Sequence, residues 1–396
     1  MTSTFTIKNL SFLGSGSGSS QVSDSDSGSD SDLKNFIDFI DFIDFIKIEI
    51  RNETLLLIKF KKPVITLGNS VLNGGFNESK TLFNLSIPKT TDPERDFPEG
   101  STFLFIKNIC ENESIDISDA TGLITAASVK NSAISYIKYG GGNKGSGNND
   151  YGSFSVTCIA TAGVDVNGGR AGDPASYYEN SGKFVQFGTI NIFLIIEATL
   201  TEYAMVKSII TATEAKTTVL QELLAPSKYS DGLATGSGTD GIIVASFKEK
   251  SGKTKLTDAG HHSKLGEMIS KTVREALRYA LFSETGLSPE KQKNIWARLS
   301  RFNVLPEFVY DDATQSLLTE LEYDGSFTAF IESAVHLKDQ VSWGLLKESD
   351  AIKNILPYGC SGCFKIPREY YSIITFDDDF SKNMIEFLRK VHSVKI

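Results

Sequence analysis

From about residue 47 the chain is written in short β-type runs. Lys47–Ile50, Thr54–Phe60, Val64–Leu67, Thr81–Ile87, Phe154–Ala160 and Thr189–Glu197 are rich in Ile, Leu, Phe, Val and Thr, and turn residues separate them. Leu72-Asn73-Gly74-Gly75 predicts a tight turn between two such runs. Two segments switch to the 3.6-residue period of amphipathic helices, one from about Thr201 to Leu224 and one from about His262 to Phe282. Strands mixed with two long helices predict an α+β fold, a mixed β-sheet domain with two long packing helices. Beyond Leu287, Ser288-Pro289-Glu290 offers an N-cap and a proline at the first helical position, so a mostly helical C-terminal extension is expected.

The N-terminal stretch has neither period. Residues 14–32 are Gly, Ser and Asp with one Gln and one Val, too polar to repay the entropy of ordering. A period-3 run follows, Phe36-Ile37-Asp38 repeated through Phe45-Ile46, which fits neither strand nor helix and reads as a short repeat expansion rather than a partner- or membrane-touching segment. The expected organisation is a disordered low-complexity tail (1–46), the mixed-sheet domain (47–286) and the helical extension (287–396). The Gly- and Asn-rich stretch Gly140–Tyr151 reads as a surface insertion.

Charge changes the picture mainly by exclusion. The 396 residues carry a formal net charge of −9, unevenly spread: residues 1–46 hold seven Asp against Lys8 and Lys34. There is no basic stripe, so nucleic acid is not an expected partner. No stretch of 18 apolar residues and no signal-peptide pattern occur, so neither a membrane nor secretion is expected, and the chain reads as cytoplasmic. Four cysteines do not make a disulfide scaffold; Cys360-Ser361-Gly362-Cys363 lacks the second pair of a zinc site and reads as two free thiols.

Candidate chemistry lies in four places. Gly236-Ser237-Gly238-Thr239-Asp240-Gly241 has the letters of a dinucleotide fingerprint, but a strand (Ile242–Ala245) follows where a helix must open, which excludes that use. The loop still offers close backbone approach at its glycines and polar groups at Thr235, Ser237, Thr239 and Asp240. On the first helix, Met205, Ile209, Ile210, Ala212, Val219, Leu220, Leu223 and Leu224 fall within about half of a helical wheel that has Val206 at zero. Lys216 lies near the middle of that arc and Glu214 just outside it. An ammonium on an apolar face needs a partner or a route to water, so Lys216 is either an active-site group or half of a structural ion pair.

The second helix opens with Gly260-His261-His262. His262 shares a face with Leu265, Ile269, Val273 and Ala276, and a helix N-terminus favours the neutral imidazole that a general base requires. The rival reading is a packed, hydrogen-bonded histidine. Finally, Asn167, Arg170 and Asp173 sit in a Gly-rich segment after the Phe154–Ala160 strand, a setting that suits a binding loop.

In order along the chain, Ser70–Gly75, Gly122–Ala127, Thr161–Pro174, Gly188–Ile192, Ile210–Lys216, Tyr229-Ser230 with Leu233–Asp240, and His262–Glu267 resemble the adenosylcobinamide amidohydrolase family, over about residues 50–285. Gly140–Tyr151 and Ala175–Phe187 depart from the family's compact pattern, and His261 stands where Lys is common. The resemblance implies hydrolysis of adenosylcobinamide to adenosylcobyric acid and aminopropanol, a route by which archaea and some bacteria salvage corrinoids for cobalamin. It carries over no catalytic residues.

Amide hydrolysis needs an attacking oxygen, a base and donors for the oxyanion. The site expected from the residues is therefore catalytic His262, Asp240, Lys216 and Thr239, with Asn73, Asn167, Arg170, Asp173, Glu214 and Thr235 binding substrate. No metal or cofactor is expected, and the partner is a small molecule. The rivals are a non-catalytic corrinoid-binding protein and a phosphate- or nucleotide-binding transferase built on the Gly236–Gly241 loop.

Overall fold

The computed structural model describes residues 2–7, 45–88, 90–140, 153–175, 190–248, 255–310, 316–359, 364 and 366–394. They divide into two compact units. The first comprises residues 1–225 and 234–286, the second 226–233 and 287–396.

The first unit is built on a nine-stranded mixed sheet. Its strands are β1 (Thr2–Ile7), β2 (Ile46–Arg51), β3 (Leu55–Gly68), β4 (Gly75–Ser86), β5 (Ala120–Thr125), β6 (Ala133–Tyr139), β7 (Phe154–Thr161), β9 (Asn191–Ile196) and β12 (Gly241–Phe247). Two-residue strands β8 (Gly168–Gly169), β10 (Thr199–Leu200), β11 (Gly236–Ser237) and β13 (Lys255–Leu256) pair outside it. The order is β1-β6-β7-β9-β12-β3-β4-β5, with β2 also on β3. Within the nine-stranded sheet the β9–β12 and β4–β5 pairs are parallel and the remaining pairs antiparallel.

The run Leu55-Leu56-Leu57-Ile58 shows why the strands read as continuous apolar runs. Alternate residues face opposite sides of a sheet, and here both sides are covered. Leu56 and Ile58 join Leu82, Leu123, Ile134, Ile159, Phe193 and Ile243 in a core that draws on distant strands. Leu55 and Leu57 face the other way, where Phe83, Leu85, Ile106 and Cys110 close a second core under helix α1 (Thr102–Asn112). Helices α2 (Glu202–Glu222) and α3 (Lys264–Thr285) pack on each other, α3 on β6 and β7 and α2 on β12. Thr201 caps α2, Ser263 caps α3, and Gly286 ends α3 in the left-handed conformation at φ 68° that glycine adopts without strain.

The second unit has its own core. Helices α4 (Ile295–Leu299), α5 (Leu317–Leu321), α6 (Gly325–Ser342), α7 (Glu348–Gly359) and α8 (Phe380–His392) bury Phe302, Phe327, Phe330, Tyr371, Phe376 and Phe387 together. No helix among the described residues is long and apolar enough to cross a membrane.

The α+β fold, with its mixed sheet, two long helices and helical C-terminal region, is the one the sequence predicts. Its boundaries differ. Residues 2–7, assigned to the tail, form an edge strand antiparallel to β6. The last repeat unit also belongs to the fold: Ile46 is 3% exposed in the central core, and Phe45 meets Phe247 edge-on at 6.3 Å. The earlier repeats lie outside the described residues, as do the Cys360–Cys363 pair and most of Gly140–Tyr151 and Ala175–Phe187. Ser288 caps a turn instead of a helix, its Oγ accepting from Lys291 N–H at 3.3 Å; the first helix of the extension starts at Ile295 behind the N-cap Asn294. The segment Pro226–Leu233, placed in the mixed-sheet domain from its motif, groups with the second unit.

The α2 wheel is also rotated from the one expected. Ala204, Ser208, Thr211, Ala212 and Ala215 are buried, while Val206 and Ile210 are 46% and 42% exposed. A helix wedged against both a strand and α3 approaches closely through small side chains, which a hydrophobicity count underrates. Lys216 stays on the buried face under either rotation.

One ionic cluster gives the sheet a pH dependence. Burial pushes the Glu49 carboxyl up, but Lys47, Lys59 and Arg51 outweigh it and hold the group down from 4.5 to about 2. Its bonds include Arg51 Nε at 2.8 Å and Lys59 Nζ at 3.1 Å. A folded-state value below the unfolded one contributes stability that is complete above pH 4.5 and lost as pH falls toward 2. Glu49→Gln should therefore melt below the parent at pH 7, and the gap should close by about pH 2. An unchanged gap across that window in thermal melts would remove Glu49 from the acid response.

Candidate active site

The segment Ala234–Asp240 leads into β12 and is tied to the last turns of α2. Gln221 Nε2 donates to the Ala234 carbonyl at 3.1 Å, and Thr217 Oγ1 to the Thr235 carbonyl at 3.1 Å. Lys216 Nζ pairs with Asp240 Oδ2. Residues 217 and 221 are one helical turn apart, so one edge of α2 holds the whole loop.

The loop's other side is fixed by β11, which pairs antiparallel with β8 through Gly236–Gly169 and Ser237–Gly168. Thr235 N–H donates to the Gly169 carbonyl at 2.8 Å, and Ala171 N–H to Thr235 Oγ1 at 2.9 Å. The 167–173 segment is itself closed: Asp173 Oδ2 accepts from Arg170 N–H at 2.7 Å and Asp173 N–H donates back to the Arg170 carbonyl at 2.9 Å. Asn167 is buried and Arg170 exposed. The ladder thus sets the 167–173 segment beside the loop that carries Thr235, Thr239 and Asp240, to which Lys216 is paired.

Lys216 is 6% exposed, and its side chain and that of Asp240 keep 8% and 13% of their exposure. A charge that far out of water persists only with a partner and further hydrogen bonds. Asp240 has them: its Oδ1 accepts from Ser237 Oγ at 2.7 Å and from Ser237 N–H at 2.9 Å. The backbone around it is clamped by Asn69, whose Nδ2 donates to the Asp240 carbonyl at 2.9 Å while its Oδ1 accepts from Ile242 N–H at 2.8 Å. Gly236 lies directly beneath the pair. A Cβ there would overlap Asp240 Oδ2 and fall 2.6 Å from Lys216 Nζ. The arrangement is a fixed carboxylate, open to one hydroxyl, with a cation locked against it.

Three expected site residues point elsewhere. Asn73 adopts the left-handed conformation at φ 52° and its Nδ2 donates to the Ile117 and Ala120 carbonyls at 2.7 and 2.8 Å, bracing the turn. Glu214 lies on the exposed side of α2 and pairs with His261 Nε2 at 2.6 Å. His262 is exposed in a turn before α3, which starts at Lys264, so the shared face expected with Leu265 and Ile269 does not form. Among the described residues no hydrogen bond or ion pair joins His262 to Lys216 or Asp240. Asn69, Ser237 and Gly236 were not among the expected site residues. Ser237 and Gly236 lie in a loop already marked, whereas nothing local distinguishes Asn69.

His262→Ala is accordingly expected to change kcat by less than about threefold, against the hundredfold or greater loss of a general base. A hundredfold loss in a normally folded His262→Ala protein would restore His262 to the site.

Residues 43–289 match the profile of the adenosylcobinamide amidohydrolase family. The match spans β2 through α3 and includes Lys216, Ser237 and Asp240. The chain belongs to that family. It is 32% identical over 243 residues to an uncharacterized protein of Methanocaldococcus jannaschii, covering 58% of this chain and 86% of the relative. It is 28% identical over 243 residues to the adenosylcobinamide amidohydrolase of Methanosarcina mazei, covering 60% of this chain and 98% of the relative. Two solved structures align loosely, each with a TM-score of 0.29: a Pyrococcus horikoshii protein (14% identity, 59% of this chain and 78% of that one) and an L-aminopeptidase D-Ala-esterase/amidase of Ochrobactrum anthropi (10% identity, 61% and 83%). Family membership supports an amidohydrolase.

Proposed function

We propose that this chain hydrolyses the aminopropanol amide of adenosylcobinamide, giving adenosylcobyric acid for cobalamin formation in corrinoid salvage. The observation that carries the reading is the buried Lys216–Asp240 pair, inside the family-matched region and joined to a polar loop. An isolated apolar pocket would suit binding alone. A fixed carboxylate beside a fixed cation offers a base for the attacking oxygen and positive charge for the developing oxyanion.

In this reading Asp240 takes the proton of the attacking oxygen. Lys216 stays charged, holds Asp240 in place and favours the negative charge that develops on the carbonyl oxygen. Arg170, Asp173, Asn167 and Thr235, which flank the β8–β11 ladder, meet the amide arms of the corrin. Asn73 and Glu214 have no part in it, since their side chains are engaged elsewhere.

The test is incubation of the full chain with adenosylcobinamide, without ATP, with aminopropanol and adenosylcobyric acid as readouts. Release of both in equal amounts is expected. Tight corrinoid binding with no product would overturn the reading in favour of a non-catalytic corrinoid-binding protein.

A further inference from the structure

We infer that Ser237 is the nucleophile and that the reaction passes through an ester between Ser237 and the corrinoid acid. The inference rests on the reading of Lys216 and Asp240 as the reactive pair, and deepens it.

The geometry of one hydroxyl carries it. Ser237 Oγ donates to Asp240 Oδ1 at 2.7 Å, the short distance of a hydroxyl bonded to a carboxylate. Its proton already lies on the path to the base. The base cannot turn away, because Lys216 occupies the other oxygen and Ser237 N–H donates to Oδ1 at 2.9 Å. The hydroxyl is held as well, since Ser237 belongs to the β11–β8 ladder. A serine that only closed a turn would need neither a buried ammonium behind its acceptor nor a glycine against which both the acceptor and the ammonium pack. Access is a separate observation. The neighbouring Gly238 is exposed, and a Cβ built on it meets nothing within 4 Å, so space beside Ser237 is open to a substrate.

The steps balance without a co-reactant other than water. Ser237 Oγ bonds to the amide carbon as its proton passes to Asp240. The C–N bond then breaks, and the leaving nitrogen takes that proton and departs as aminopropanol. Water adds to the ester carbon and gives a proton to Asp240. The C–Oγ bond breaks, Ser237 regains the proton, and the corrinoid carboxylic acid leaves. Lys216 keeps its proton throughout.

Two measurements test this on the full chain. Ser237→Ala retains the Ser237 N–H bond to Asp240, so the carboxylate keeps its place and the protein its melting temperature. Its kcat should fall about 1000-fold or more with KM nearly unchanged. Wild-type protein turning over in hydroxylamine should divert part of its product to the corrinoid hydroxamate, as an ester intermediate does, while Ser237→Ala forms none above the protein-free rate. Ser237→Ala with more than a tenth of wild-type kcat, or wild-type product that is acid alone, overturns the inference. If Lys216→Met and Asp240→Asn abolish turnover while Ser237→Ala keeps it, the pair stands with water as its nucleophile and the serine falls. If all three keep turnover, the reading of the site falls and takes the serine with it.

Discussion

Lys216→Met is expected to lower kcat on adenosylcobinamide by about 1000-fold and to destabilise the protein as well. Methionine matches the stem of lysine, so packing against α2's neighbours is retained. The charge is not, and Asp240 is left 13% exposed without its cation. Removing one partner of a buried pair costs about 3–5 kcal/mol. Ser237's two bonds to Oδ1 remain and argue for the lower end, about 3 kcal/mol, which in a unit of this size is about 6–12 °C in Tm. The double variant Lys216→Met/Asp240→Asn removes both charges and should recover most of that Tm without recovering turnover. A single variant that keeps its turnover in the folded fraction would make the pair structural and vacate the proposed active site.

Gly236→Ala should cost turnover far more than stability. Its Cβ would overlap Asp240 Oδ2 and sit 2.6 Å from Lys216 Nζ, so the pair must open or the loop must shift. Overpacking of this kind costs about 1–3 kcal/mol. Displacing catalytic groups by about 1 Å can cost about a hundredfold in rate, so kcat should fall by that order while Tm drops only several degrees. Gly236 has no positive φ, so the cause would be steric rather than backbone strain. Gly238→Ala, with nothing within 4 Å of its Cβ, should leave Tm unchanged. Equal Tm losses at both glycines would point to loop flexibility instead.

Asn69 shows why the active site cannot be read from the loop alone. It lies 171 positions before Asp240, yet its side chain bonds the backbone on both sides of Gly241. That position follows from β3 running antiparallel beside β12. The same pairing explains why Asp240 sits at a strand start with its carboxylate over Gly236 and not in solvent.

Alternation and period in the sequence determined the α+β class, the two long helices and the apolar strands, because burying one face of each element dictates spacing without reference to neighbours. They also determined that Lys216 lies on a buried face. Its partner was beyond them. Asp240 is 24 residues away on another element, and a wheel shows that a charge is buried but not what meets it. The helix alone therefore leaves Lys216 as either a site group or half of an ion pair, and Asp240 supplies the missing half. Local signals misled where two elements compete for one residue. His262 looked like the first turn of α3 until Ser263 took the cap, and Ile46 looked like repeat until the sheet buried it. Only the tertiary structure decided the β8–β11 ladder and the Asn69 clamp. Each is a long-range or cross-loop pairing whose free energy depends on strands already being side by side, and no periodicity in a single chain encodes it.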